Sequence, residues 1–138
     1  MAEIPSSMNG VIIEFSGSVN KNVDQKIVDA LNFCIKTAIA PGYALNKIYI
    51  SSAHDSHAYP SRHAQGQGKA VDISRINGLK MSLHYSSNST VKEITNAIQE
   101  KFESFGYKRE NFGPHFKKKL GNPYAVSGHD DHIHISVN

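Results

Sequence analysis

The chain has 138 residues, 15 Lys and Arg against 12 Asp and Glu for a formal charge of +3, 39% hydrophobic residues, one cysteine and no tryptophan. This length and apolar share suit one domain with one core, and a single cysteine excludes an intramolecular disulfide. The charge excess is too mild, and the aromatic residues too little interleaved with basic ones, to suggest a nucleic-acid-binding domain.

In chain order, residues 11–16 are a short apolar run that suits either a strand or part of an extended N-terminal arm over residues 1–20. From Val23 the apolar residues Ile27, Ala30, Leu31, Cys34, Ile35 and Ala38 recur at helical spacing. Asn22 and Gln25 stand at capping-box positions, so the pattern predicts an amphipathic helix ended by Pro41-Gly42, with Cys34 a small buried hydrophobe on its apolar face. Residues 47–53, rich in β-branched and aromatic side chains, predict a strand that runs into a polar loop. A second short strand is predicted over residues 70–73, between the glycines Gly66 and Gly68 and the Asn77-Gly78 turn signal.

Another helix follows, with Thr90 and Glu93 in capping-box positions, Val91, Ile94, Ile98, Phe102 and Phe105 along one face, and a stop at Gly106. Residues 111–128 read mainly as loop with one helical turn, and their basic run Lys117–Lys119 as a solvated face. The chain closes on residues 132–137, whose alternation predicts a strand with Ile133, Ile135 and Val137 on one face and His132, His134 and Ser136 on the other. No internal repeat is present, and the mixed order of elements predicts a single α+β domain over residues 1–138.

The histidines are placed unevenly, with His54, His57 and His63 in one loop region and His129, His132 and His134 near the C-terminal end. A catalytic zinc ion needs about three protein ligands from His, Asp or Glu and an open position. His63 and Asp72 flank a glycine-containing turn and a short strand and can converge as the chain doubles back. His132 and His134 share one face of the terminal strand, about 7 Å apart at the backbone by strand rise.

Three segments, Ser61-Arg62-His63, Gly68-Lys69-Ala70-Val71-Asp72-Ile73 and His129-Asp130-Asp131-His132-Ile133-His134, together resemble the superfamily of lysostaphin-type enzymes, D-Ala-D-Ala metallopeptidases and hedgehog domains. The likeness is greatest to its D-Ala-D-Ala carboxypeptidase, L-alanyl-D-glutamate endopeptidase and murein endopeptidase branches, and it covers residues 47–138. It implies a small antiparallel sheet flanked by helices and a zinc ion held by His63, Asp72 and His134. It also implies a general base that takes a proton from the attacking water. In murein-endopeptidase relatives this is the position of His132, and in carboxypeptidase relatives that of Asp131, where a glutamate is usual. His132 is the favoured base here, with Asp131 as its orienting partner or substitute.

Two departures stand out. The step from His63 to Asp72 is nine positions where relatives usually have seven, an extension that Gly66 and Gly68 can accommodate. The arginine that many relatives carry after the preceding strand is replaced by Ser51-Ser52-Ala53-His54-Asp55, so carbonyl polarisation is expected from His54, His57 or Arg62 or mainly from the zinc, and the murein-endopeptidase branch implies a substrate contact at His129 beside those of His54 and Arg62.

The resemblance implies hydrolysis of a peptide bond in bacterial peptidoglycan by a monomer, as a phage endolysin or another wall-lytic enzyme. The start of the chain has no signal-peptide pattern, so synthesis in the host cytoplasm and action at the wall after release, or as part of a virion, is expected. No membrane insertion is expected. The alternative reading is a catalytically silent zinc-containing structural or wall-binding module of a virion or tail.

Overall fold

The structure is a computed structural model that describes residues 1–54 and 68–138. In chain order its elements are β1 (Ala2–Glu3), β2 (Ser7–Met8), β3 (Val11–Phe15), β4 (Asn22–Val23), α1 (Gln25–Cys34), β5 (Lys47–Ser52), β6 (Ala70–Ile76), β7 (Leu79–Lys80), α2 (Met81–His84) and α3 (Ser89–Phe102). They end with β8 (Lys108–Phe112), β9 (Lys117–Lys119), β10 (Asn122–Pro123) and β11 (Ile133–Val137). Among the described residues nine strands form one sheet in the order β10-β9-β8-β11-β6-β5-β3-β2, with β7 paired to β6. Every neighbouring pair is antiparallel except β3 and β5, which run parallel. A parallel pair needs a crossover connection, and α1 lies within this one.

The chain is thus an α+β fold as expected, but the sheet is large and mixed where a small antiparallel one was expected. Two of the segments that enlarge it stand where the sequence suggested an arm or a loop. The run at 11–16 is a strand, β3, so part of the expected arm belongs to the sheet. The expected loop over 111–128 is interrupted by the short strands β9 and β10, which extend the sheet beyond β8.

Both long helices begin on a side-chain cap two residues away from the expected one. Asp24 caps α1 by accepting from the Lys26 N–H at 2.9 Å, which leaves Asn22 in β4. Asn88 caps α3 by accepting from the Val91 N–H at 3.1 Å. Helix α1 stops at Cys34, short of the apolar pattern that runs to Ala38, because Ile35 turns to extended backbone. The Asn9 amide then donates to the carbonyls of Asn32 and Ile35, both at 3.0 Å, satisfying groups that the helix end would otherwise orphan.

Helices α1 and α3 pack against each other and against β11 on one face of the sheet. There Ile27, Leu31, Ile94, Ile98 and Phe102 meet Ile48, Ile50, Ile73, Ile133, Ile135 and Val137, all fully buried. Each such side chain contributes about 1.5–3 kcal/mol by leaving water. A buried amide pair ties β8 to α3: Gln99 Nε2 donates to Asn111 Oδ1 at 3.1 Å, and Asn111 Nδ2 to the Gln99 carbonyl at 2.8 Å. The opposite face of β8, β11 and β6 is left for polar residues. No helix among the described residues is long and apolar enough to cross a membrane.

Candidate functional site

Strand pairing builds the site. In the antiparallel register of β6 and β11, Asp72 lies directly opposite His134, and β8 sets Phe112 against the other side of His134. Their neighbours Val71, Ile73, Ile133 and Ile135 point into the core, so alternation directs Asp72, His134 and Ser136 to the face away from the helices. His134 Nδ1 sits 2.9 Å from Asp72 Oδ1, and His134 is only 8% exposed. The Phe112 ring stacks on the imidazole with centroids 5.6 Å apart, and Tyr124 stacks near Phe112 at 5.8 Å.

The other His134 nitrogen, Nε2, lies 3.0 Å from Glu110 Oε1, and the Ser136 hydroxyl donates to the same oxygen at 2.8 Å. Glu110 shares the face of Phe112, two residues on, and lies beside a bulge where the register of β8 against β11 shifts between Ile135 and Val137. At the bulge the Glu110 N–H donates to Ser136 Oγ at 3.0 Å, so one hydroxyl holds both the backbone and the carboxylate of Glu110. Burial raises the Glu110 pKa, but the bonds from His134 and Ser136 outweigh it and hold the group at about 2. Burial likewise lowers the pKa of His134, and its bonds to Asp72 and Glu110 outweigh that and lift it to about 9.

His132, next but one along the chain, presents Nδ1 to Asp131 Oδ1 at 2.7 Å. A carboxylate accepts, so Nδ1 carries a proton, and Nε2 lies on the site side, 4.0 Å from Asp72 Oδ1. His129 covers this group with ring centroids 5.0 Å from His132 and 5.4 Å from His134. Burial lowers the His129 pKa, and the neighbouring His134 and His132 push it further down.

The structure therefore brings together Asp72, Asp131, His132, His134 and His129 of the residues expected from sequence, and adds Glu110. His63, Arg62 and His57 lie outside the described residues. His54 is buried beside the start of α1, where its Nδ1 donates to the Asn22 carbonyl at 2.8 Å, a bond that holds the chain after β5 to β4. Glu110 has no motif around it. Its only trace in the sequence is alternation, since Glu110 and Phe112 sit two apart as His134 and Ser136 do, and the pairing of the two strands is needed to read it.

Comparison with family models, with curated proteins and with solved structures finds no match to this chain.

Among the described residues no group of three His, Cys, Asp or Glu side chains is arranged to hold a metal ion. Two donors of the expected set nevertheless fit one. Asp72 Oδ1 and His134 Nδ1 face each other at 2.9 Å, and a carboxylate already occupies the distal nitrogen of His134. A cation between Asp72 and His134 would take the place of the proton they share, while the Nε2–H bond to Glu110 stays. A metal-bound histidine most often has this arrangement, because the distal partner fixes ring and tautomer.

Beside the site, a cavity of about 360 Å³ opens along β5, β6 and β7, with Asp72, Asp131 and His132 at one end and Arg75 and Lys80 among its other walls.

Proposed function

We propose that this chain is a zinc-dependent peptidase acting on the peptide part of bacterial peptidoglycan, of the lysostaphin, D-Ala-D-Ala metallopeptidase and hedgehog kind, serving as a phage endolysin or another wall-lytic enzyme. The observation that carries the reading is the facing pair Asp72 and His134, with a tautomer-fixed His132 beside it. His63, Asp72 and His134 would hold the metal. When bound, zinc supplies Lewis acidity, polarising a carbonyl and making water a better nucleophile at neutral pH.

The chain's own groups supply the rest. Glu110 holds the His134 ring in position through Nε2. His132 Nε2, with its other nitrogen bonded to Asp131, takes a proton from the attacking water and returns it to the leaving amine. His129 and Phe112 pack around His134 and limit the approach of water from that side.

The test is incubation of the pure protein with peptidoglycan, with chelator and after zinc is restored, reading new amine termini and fragment masses. Chelator-sensitive release that zinc restores is the expected result, and the masses identify the bond. A protein that binds zinc yet releases nothing from several wall types would overturn the enzyme reading in favour of a silent structural or wall-binding module.

A further inference from the structure

The cavity beside the site has a polarity that the general chemistry of peptide hydrolysis does not require. Its acidic end holds Asp72 and Asp131, and its walls further along β6 and on β7 carry Arg75 and Lys80. Strict alternation would put Arg75 on the opposite face from Asp72, three residues earlier. A bulge prevents this: Tyr49 pairs with Arg75 and Ile50 with Ile73, so Ser74 is the extra residue. Ile73 and Ile76 can then both be buried, and Arg75 joins Asp72 on the open face.

Cross-strand register places Arg75 between Tyr49 of β5 and Lys80 of β7. The guanidinium lies 4.1 Å from the centroid of the Tyr49 ring, which orients its plane and limits its freedom. The acidic residue next along this row, Glu14, faces Lys47 at 3.8 Å. Among the described residues neither Arg75 nor Lys80 makes an ion pair. A pre-oriented guanidinium and an ammonium therefore share one cavity wall with the Ser74 and Ser82 hydroxyls, with no carboxylate of the described residues paired to either.

We propose that Arg75, oriented by Tyr49 and supported by Lys80, recognises a carboxylate of the substrate peptide beside the bond that is cut, a role that rests on the peptidase reading above. A planar guanidinium can take a carboxylate through two parallel N–H bonds. Asp72 and Asp131 repel the same anion from the other end of the cavity, so the charge pattern sets the direction in which the peptide lies. Three strand residues with one in a bulge separate Arg75 from Asp72 by roughly 7–10 Å, the reach of one to two substrate residues. The favoured substrate thus carries a free carboxylate within that distance of the scissile bond.

The experiment measures binding to the zinc-free full-length protein by calorimetric titration. The probes are the synthetic stem pentapeptide L-Ala-D-Glu-L-Lys-D-Ala-D-Ala as free acid, with the D-Glu carboxylate amidated, or with the C-terminal carboxylate amidated. The expected result is a roughly ten- to hundredfold weaker Kd for one amidated form, which also identifies the carboxylate. Arg75→Met should bind acid and amide forms alike. Lys80→Ala, at an exposed position that the fold does not need, should narrow the preference by roughly two- to fivefold.

Equal binding of all three peptides by the unaltered protein would overturn the proposal, and so would a preference that survives in Arg75→Met. Glycerol 3-phosphate serves as a second probe. If it binds through Arg75 while the free acid binds no better than its amides, the anion is a wall phosphate and the proposal fails. Zinc-restored cleavage without carboxylate preference would refute this subsite alone. Carboxylate-dependent binding without cleavage by zinc-loaded protein would refute the peptidase reading alone.

Discussion

Removing Glu110 tests whether its carboxylate holds in place the imidazole of His134, a proposed zinc ligand. In Glu110→Ala, His134 Nε2 loses an acceptor at 3.0 Å and the Ser136 hydroxyl loses one at 2.8 Å. Hydrogen bonds to charged groups contribute about 1.5–3 kcal/mol each, and the two share one oxygen, so a combined loss of about 2–4 kcal/mol in folding stability is expected. Groups that orient a metal ligand are typically worth about 10- to 100-fold in metal affinity, and the same loss is expected in zinc affinity. Glu110→Gln keeps an acceptor but no charge and should fall between the variant and the unaltered chain. Zinc affinity is read by competition with a chromogenic chelator, and stability by urea unfolding of the zinc-free protein. If Glu110→Ala holds zinc as tightly as the unaltered chain, Glu110 does not orient His134 and the reasoning is wrong.

His132→Ala should keep zinc bound, because the donors Asp72 and His134 remain, yet lower turnover of a peptidoglycan peptide by about 100- to 10,000-fold; full turnover would move the base to Asp131. Asn88→Ala removes the cap bond to the Val91 N–H and should cost about 1 kcal/mol of stability by urea titration. In Gly113→Ala the added methyl would overlap the Gln99 side-chain amide, which cannot swing away because it bonds Asn111, the Phe116 carbonyl and the His115 N–H. A loss of about 1–3 kcal/mol is expected, and an unchanged urea midpoint would refute the overlap. Burial raises the Cys34 thiol pKa to about 12, so the thiol stays protonated at pH 8. It should resist a disulfide reagent in native buffer and react promptly in denaturant.

Periodicity made the two long helices and β11 legible, residue composition and flanking turn signals the strands β5 and β6, and the Asn-Gly pair the turn at Asn77-Gly78. Burial on one face repeats at 3.6 residues in a helix and 2 in a strand, and the turn needs the positive φ of 52° and 81° that Asn and Gly tolerate. The ends of helices were less legible, since α1 stops where Asn9, distant in sequence, satisfies its last carbonyls. Short polar strands such as β9 carry no internal pattern, because Lys117–Lys119 become a strand only by pairing with β8.

The chain by itself determined the kinds of group at the site: an aspartate after a glycine-bounded turn, a His-x-His on one face of a terminal strand, and an acidic residue just before it. Those are local properties, dictated by side-chain chemistry and the two-residue period of a strand. Tertiary structure alone decided that Asp72 faces His134 through its Nδ1, that Glu110 completes the distal side of that ring, and that Arg75 shares a face with Asp72. Each of these depends on register between strands far apart in sequence, and the last depends on a bulge that shifts the register by one residue. A single-residue shift reverses which way a side chain points, and no local pattern in this chain announces it.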